Sequence, residues 1–330
     1  MFCQITRKAM ATEFVIMLPS GAESVDAAVE AADLVEKIEL DLSVYRPDSE
    51  ICKVNRLAAD QPVVVSNPTF SLLERAIGLS ERTGGAFDIT AGPLIEAWGF
   101  TKRSGQKPSS DEVNEALSRV GYRHLMLDRD ALSVRFAVPS MAINLGAIGK
   151  GDALDRMAAH LKARGVNDFL IHGGNSSVIA SGDQDPGSSM GWAIGLAHPT
   201  KPQRRLVGLW LKDAALATSG SGKQFFHHQG RRYGHVIDPR TGYPAGDLLS
   251  LTIAIDNATD ADAIATALFV SGGKEVRDHH ERAPFPFAIM TRARGQQDAV
   301  NIETLGEPQW IEPPKGELDQ TEKPIVYRGE

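Results

Sequence analysis

Apolar residues along this 330-residue chain switch between strand-like and helix-like spacing, and the two kinds of segment do not alternate in strict turn. That order constrains the fold most, because a doubly wound parallel sheet needs a helix after each strand. Residues 12–18, TEFVIML, read as a first strand, and Val25, Ala28, Val29, Ala32 and Val35 follow at amphipathic helical spacing. A second helix begins near Pro68, carries Leu72, Leu73, Ala76 and Ile77, and stops at Gly84 and Gly85. A third runs from Gly151 through Leu154, Met157, Ala158 and Leu161 to Gly165, ahead of a short strand, DFLIH. Strands are read from Leu206 to Leu216 and from Leu248 to Ile255, with a polar segment from Ser219 to Gly246 between them, and a final helix starts near Asp260. The pattern predicts an α+β architecture.

No break in composition divides the body of the chain. Residues 1–304 are expected to form a single catalytic domain, and the proline- and charge-rich segment 305–330 an extended tail. A net charge of −7 offers no basic field for nucleic acid or an anionic bilayer. Cys3 and Cys52 are too few for a disulfide framework or a cysteine zinc site. No apolar run has the length of a signal peptide or a membrane span, so stable membrane insertion is not expected and the cytoplasm is the expected compartment.

Chemistry-bearing residues concentrate in a few segments. Asp262 and Thr266 lie four residues apart on the last helix, hence on one face, where a carboxylate and a hydroxyl make a hard-oxygen site suited to magnesium. The same spacing also describes an acid near a helix start and a back-bonded hydroxyl. In GHVIDPRTGYP, His235 precedes Asp238, and an imidazole beside a carboxylate suits proton removal near neutral pH. The alternative there is an Asx-type turn begun by Asp238, with His235 packed at a strand end.

Glycines 146, 149 and 151 surround Lys150 just before a helix, where main-chain donors and a cation can meet phosphate oxygens. This segment and SGSGKQF around Lys223 both lack the Walker pattern. HGGNSSV at 172–178 and TSGSG at 218–222 are small and polar enough for close ligand approach, or simply turns. Tyr45, Ser49 and Asn55, and Phe87, Asp88 and Thr90, offer aromatic, amide and carboxyl groups for a flat heterocycle, although a lone tyrosine is commonly a half-buried packing residue. His227, His228, His279 and His280 are read as surface residues.

Taken in order, MATEFVI, LSVYRPDSEICKVN, GGAFDITAGPLIEAWGF, INLGAIGKGDALD, IHGGNSSVIASG, ATSGSGKQFF, GHVIDPRTGYP and DADAIATALFVSG resemble the ApbE family, the FAD:protein FMN transferases. GAFDITAGPL, HVIDPRTG and DAIATAL carry most of the specificity. The resemblance implies an ApbE-like, T-fold-like α+β fold, mixed sheets flanked by helices, with FAD in a cleft between sub-regions. It implies a divalent ion, Mg2+, held by Asp262, Thr266 and a carbonyl near Gly146 or Ala147. His235 matches the histidine required for transfer, with Asp238 beside it in the motif. Met10, Thr12, Tyr45, Asn55, Ala86, Phe87, Asp88, Lys150, Ser219 and Thr241 match surroundings of the adenine, flavin and phosphates.

The implied reaction attaches FMN through a phosphoester bond to a Thr or Ser of an acceptor flavoprotein and releases AMP. A metal-dependent FAD pyrophosphatase and a non-catalytic flavin binder are the competing readings. The chain departs from the family pattern at Asn144, where an aspartate is usual, and at Ser221, Gly222 and Lys223, where an acidic or aromatic residue and an arginine are common. It also lacks the export signal that many members carry, so cytoplasmic acceptors are expected.

Overall fold

The computed structural model describes residues 2–20, 24–101, 105–222, 224–294 and 299–314. Its centre is an eight-stranded antiparallel sheet ordered β1 (Phe2–Ala9), β2 (Thr12–Pro19), β6 (Phe169–Gly173), β7 (Ser177–Ser181), β10 (Ala214–Gly220), β13 (Ser250–Ile255), β14 (Phe287–Ala293) and β15 (Val300–Gly306). Strict alternation along these strands gives the sheet two apolar faces. Ile171, Ile179, Ala215, Ala217, Ile253, Ala288 and Met290 join the core formed with helices α1 (Val25–Leu42), α6 (Gly149–Ala163) and α7 (Ala258–Ser271). Their immediate neighbours Leu170, Val178, Leu216, Ala254, Phe287 and Ile289 join a second core with Trp192, Val207 and Leu209.

The second core belongs to a three-stranded sheet, β16 (Gln309–Glu312), β9 (Arg205–Leu211) and β8 (Trp192–Ala197), in that order. The molecule is thus layered as helices, large sheet and small sheet. Helices α2 (Glu50–Leu57) and α3 (Asn67–Arg82) and a sheet of β3 (Val63–Val64), β5 (Ser133–Phe136) and β4 (Leu125–Asp128) extend the main core. A satellite core around Trp98 joins α4 (Gly92–Ala97), α5 (Ser110–Leu117) and the hairpin β11 (Phe225–His228)/β12 (Arg231–Gly234). Helix α8 (Gly273–Arg282) follows α7 directly. Among the described residues no helix is long and apolar enough to cross a membrane.

The α+β expectation holds, with local differences that have physical causes. The apolar run 206–216 is two strands in two different sheets, because Asp213 adopts φ 47° and its carboxylate accepts the Gly182 N–H at 2.8 Å. The polar segment 219–246 contains the β11/β12 hairpin, whose aromatic residues pack on Trp98. His279 and His280 sit on α8, where both rings stack on Phe285. Residues beyond 304 stay in the fold as far as β16, which pairs with β9; residues 315–330, like Lys223, lie outside the described residues.

Candidate active site

Helix α7 is anchored at its start. The Asn257 side chain accepts the Asp260 N–H at 2.9 Å, and Asp155 accepts the N–H groups of Ala258 and Thr259 at 2.8 and 2.9 Å. The helix buries Ala261, Ala263, Ala265 and Ala267, and these short side chains let its backbone approach α6 and β10 closely. Gly151 makes the crossing possible, since a Cβ there would lie 2.1 Å from the Ala258 carbonyl oxygen.

Asp262 is brought by this packing into the wall of a cleft, only 6% exposed. Its Oδ1 accepts the Ser177 hydroxyl at 2.6 Å and its Oδ2 the Gly151 N–H at 2.8 Å, while Lys150 Nζ stands 3.8 Å from Oδ2. Burial pushes the Asp262 carboxyl above its ordinary range, against the opposing pull of Lys150 and the two donors. Thr266 lies one turn on; its hydroxyl donates back to the Asp262 carbonyl at 2.9 Å and meets Ser219 Oγ at 3.0 Å. The back-bonded hydroxyl of the alternative reading is thus present, and such a hydroxyl keeps a lone pair that could meet a cation.

His235 follows β12 and lines the same cleft. The Gln224 carbonyl takes its backbone N–H at 3.1 Å and lies 3.2 Å from Nδ1. A carbonyl only accepts, so Nδ1 carries the proton and Nε2 is the basic atom of the neutral ring. Burial lowers the imidazole pKa below its ordinary value, the nearby Lys150 charge adds to the lowering, and the Gln224 bond opposes it.

The cleft has a volume of about 1300 Å3, larger than the roughly 300–1,000 Å3 of ordinary small-molecule pockets. Thr12, Tyr45, Ala86, Phe87, Asp88, Ala147, Lys150 and Ser219 line it together with His235, Asp262 and Thr266. Tyr45 is 66% exposed, an aromatic ring at the rim. Asp88 is occupied locally: its carboxylate accepts from the Thr90 N–H and hydroxyl and from the Tyr122 N–H, at 2.8, 2.7 and 2.8 Å.

Four of the residues singled out from the sequence are turned to other tasks. Asn55 clamps Ile143, donating to its carbonyl at 2.9 Å and accepting its N–H at 2.7 Å. Met10 holds the β1/β2 turn with φ 51°, its N–H on Glu39 at 2.7 Å. Asp238 pairs with Arg240 and accepts its N–H at 2.9 Å, an Asx-type turn, and so faces Arg240 while His235 bonds Gln224. Thr241 is exposed in that turn and accepts the Tyr243 N–H at 3.3 Å.

Asn144 lines the cleft, and its Oδ1 accepts the Gly146 N–H at 2.9 Å. The amide thus supports the Gly146–Ala147 turn as a carboxylate would, and Lys150 is answered by Asp262 at 3.8 Å and the Gly146 carbonyl at 3.4 Å. Ser177 and Gln224 carry the two central side chains but stand out in the sequence only as members of polar stretches. Their contacts are tertiary, and no local spacing signals them.

The donors around Asp262 fit a hard divalent cation: a buried carboxylate, the Thr266 hydroxyl and the turn carbonyls at Gly146 and Ala147 all edge one cleft. Among the described residues no three His, Cys, Asp or Glu side chains converge, so such an ion would lean on hydroxyl, carbonyl and substrate oxygens.

Comparison with known proteins points one way. The ApbE family matches residues 9–287. An FAD:protein FMN transferase of Vibrio cholerae is 32% identical over 261 residues, covering 78% of this chain and 77% of the relative. Another from Treponema pallidum is 35% identical over 265 residues, covering 76% and 73%. Among solved structures, an ApbE protein of Thermotoga maritima superposes with a TM-score of 0.80 at 30% identity, covering 88% of this chain and 94% of that one. The flavin transferase ApbE of Vibrio cholerae gives 0.77 at 28% identity, covering 92% and 96%.

Proposed function

The chain belongs to the ApbE family, and from that premise we propose that it is an FAD:protein FMN transferase, linking FMN through a phosphoester bond to a threonine or serine of an acceptor flavoprotein. The supporting observation is that one cleft of dinucleotide size joins the Asp262–Lys150 pair, Thr266 and a histidine whose Nε2 is left basic.

In this reading the acceptor hydroxyl oxygen attacks the FMN-side phosphorus of FAD. The bond from that phosphorus to the bridging oxygen breaks, and AMP departs with that oxygen. His235 Nε2 takes the hydroxyl proton, and its lowered pKa keeps the ring neutral and ready at neutral pH. Lys150 places positive charge beside the pyrophosphate. Magnesium held by Asp262, Thr266 and the Ala147 carbonyl would supply the further charge neutralisation that phosphoryl transfer needs. Thr12, Ala86, Phe87 and the main chain at Asp88 suit the adenine side, and Tyr45 the flat flavin. Both cysteines are free, in keeping with a reducing compartment, and we place the reaction in the cytoplasm.

The test is to incubate the protein with FAD, magnesium and a candidate acceptor, then to weigh the acceptor intact. A covalent FMN increment with matching AMP supports transfer. AMP and free FMN alone would make the chain a hydrolase, and unchanged FAD a flavin binder.

A further inference from the structure

The stretch 186–237 carries seven lysines and arginines against one carboxylate, Asp213, in a chain whose net charge is −7. It supplies β8 to β12 and much of one wall of the cleft. Two of its cations are answered by acids from elsewhere, Lys212 by Asp183 at 3.0 Å and Arg205 by Glu312 at 3.4 Å. On the β11/β12 hairpin the situation differs. Among the described residues neither Arg231 nor Arg232 reaches a carboxylate, and the hairpin itself contains no acidic residue.

Arg232 lies with its guanidinium carbon 3.9 Å from the centre of the Phe225 ring and donates to the Ser221 carbonyl at 2.6 Å, while its buried Nε meets no hydrogen-bond partner among the described residues. Phe225 is 42% exposed. His227 is exposed on the same face, and Arg231 and His228 are exposed on the other, with the Arg231 guanidinium carbon 5.4 Å from the centre of the Tyr233 ring. The base pair of the hairpin, Phe225 opposite Gly234, adjoins Gln224 and His235, both in the cleft wall. The hairpin therefore rises from the rim beside the proposed base.

We propose that this hairpin is the docking surface for the acceptor protein, and that it takes a segment rich in aspartate or glutamate next to the hydroxyl to be modified. The inference rests on the transferase reading and deepens it. FAD alone does not account for the surface, because an exposed aromatic under an arginine is the composition of a protein interface rather than of a phosphate cradle. Cations around a reactive opening steer an acidic partner towards it, in a chain whose overall charge would otherwise repel that partner.

The test uses a fluorescein-labelled dodecapeptide with one central threonine and four aspartates, its all-asparagine counterpart, and an oligothymidylate of equal charge, each titrated by anisotropy at low salt. The intact protein should bind the aspartate peptide about tenfold more tightly than the asparagine peptide, with the preference fading as salt rises. Arg231→Glu should abolish the preference and Phe225→Ala should weaken binding of the aspartate peptide, while FAD affinity, read from flavin fluorescence, stays unchanged in both. Equal binding of the two peptides, a preference that survives Arg231→Glu, or tighter binding of the oligothymidylate would overturn the docking proposal. Loss of FAD binding or turnover in the unmodified protein would instead sink the transferase reading beneath it.

Discussion

The two walls of the cleft are built on opposite principles. On the helical wall every polar atom of Asp262 is engaged: Ser177 and Gly151 donate to its carboxylate, Thr266 to its carbonyl, and Lys150 stands beside it. On the strand wall His235 has one bond to a main-chain carbonyl and otherwise packs edge-on against Phe100, ring centres 6.4 Å apart. A prebuilt charge site needs its dipoles fixed before substrate arrives. A base needs a free nitrogen and a tuned pKa, and extra partners would spoil both.

The contrast can be broken most severely at the proposed base. His235→Ala should reduce FMN transfer by about 10²- to 10⁴-fold, the usual worth of a general base, with FAD binding retained; equal loss of FAD binding would make the ring a binding residue. Next comes Asp262→Ala on the opposite wall. Transfer should fall on the order of a hundredfold or more and lose its magnesium dependence, and the melting temperature should drop because Ser177 and Gly151 would be left with buried unpaired donors. A variant that still needs magnesium at the ordinary concentration would contradict the proposed role of Asp262 as a ligand.

Ser177→Ala sharpens the comparison within the helical wall. The metal concentration for half-maximal activity should rise about 10- to 100-fold, as for other residues that orient a ligand, with stability lowered by about 1–3 kcal/mol; unchanged metal dependence would make Ser177 a packing residue only. The smallest effect is in pH. The His235 pKa is lowered by burial, so its base form persists into mild acid, and kcat/KM should decline as pH falls through an inflection below the ordinary imidazole value of 6.5. An inflection above that value would mean that a negative charge, rather than burial, governs the ring.

The same contrast explains what could be read from the sequence. Asp262, Thr266 and His235 sit in short motifs whose residue types name their chemistry, and the fold brings all three to one cleft. Ser177 is 85 residues from the carboxylate it holds, so only the packing of β7 on α7 reveals it. Asn55 offers an amide that resembles a ligand contact, yet its partner Ile143, 88 residues on, is visible only in three dimensions. Strand boundaries suffered for a related reason. The run through Lys212 and Asp213 keeps an apolar tone on both sides, and the change of sheet depends on a single left-handed residue.

Where metal and pyrophosphate lie relative to the imidazole decides whether the two walls act as proposed. A crystal of the protein grown with FAD and manganese, read by anomalous scattering, answers this directly. One strong peak is expected in coordinating contact with the Asp262 carboxylate, Thr266 Oγ and a pyrophosphate oxygen, with His235 Nε2 facing the FMN-side phosphorus. A peak away from Asp262, or FAD bound with its adenine against His235, would contradict that arrangement.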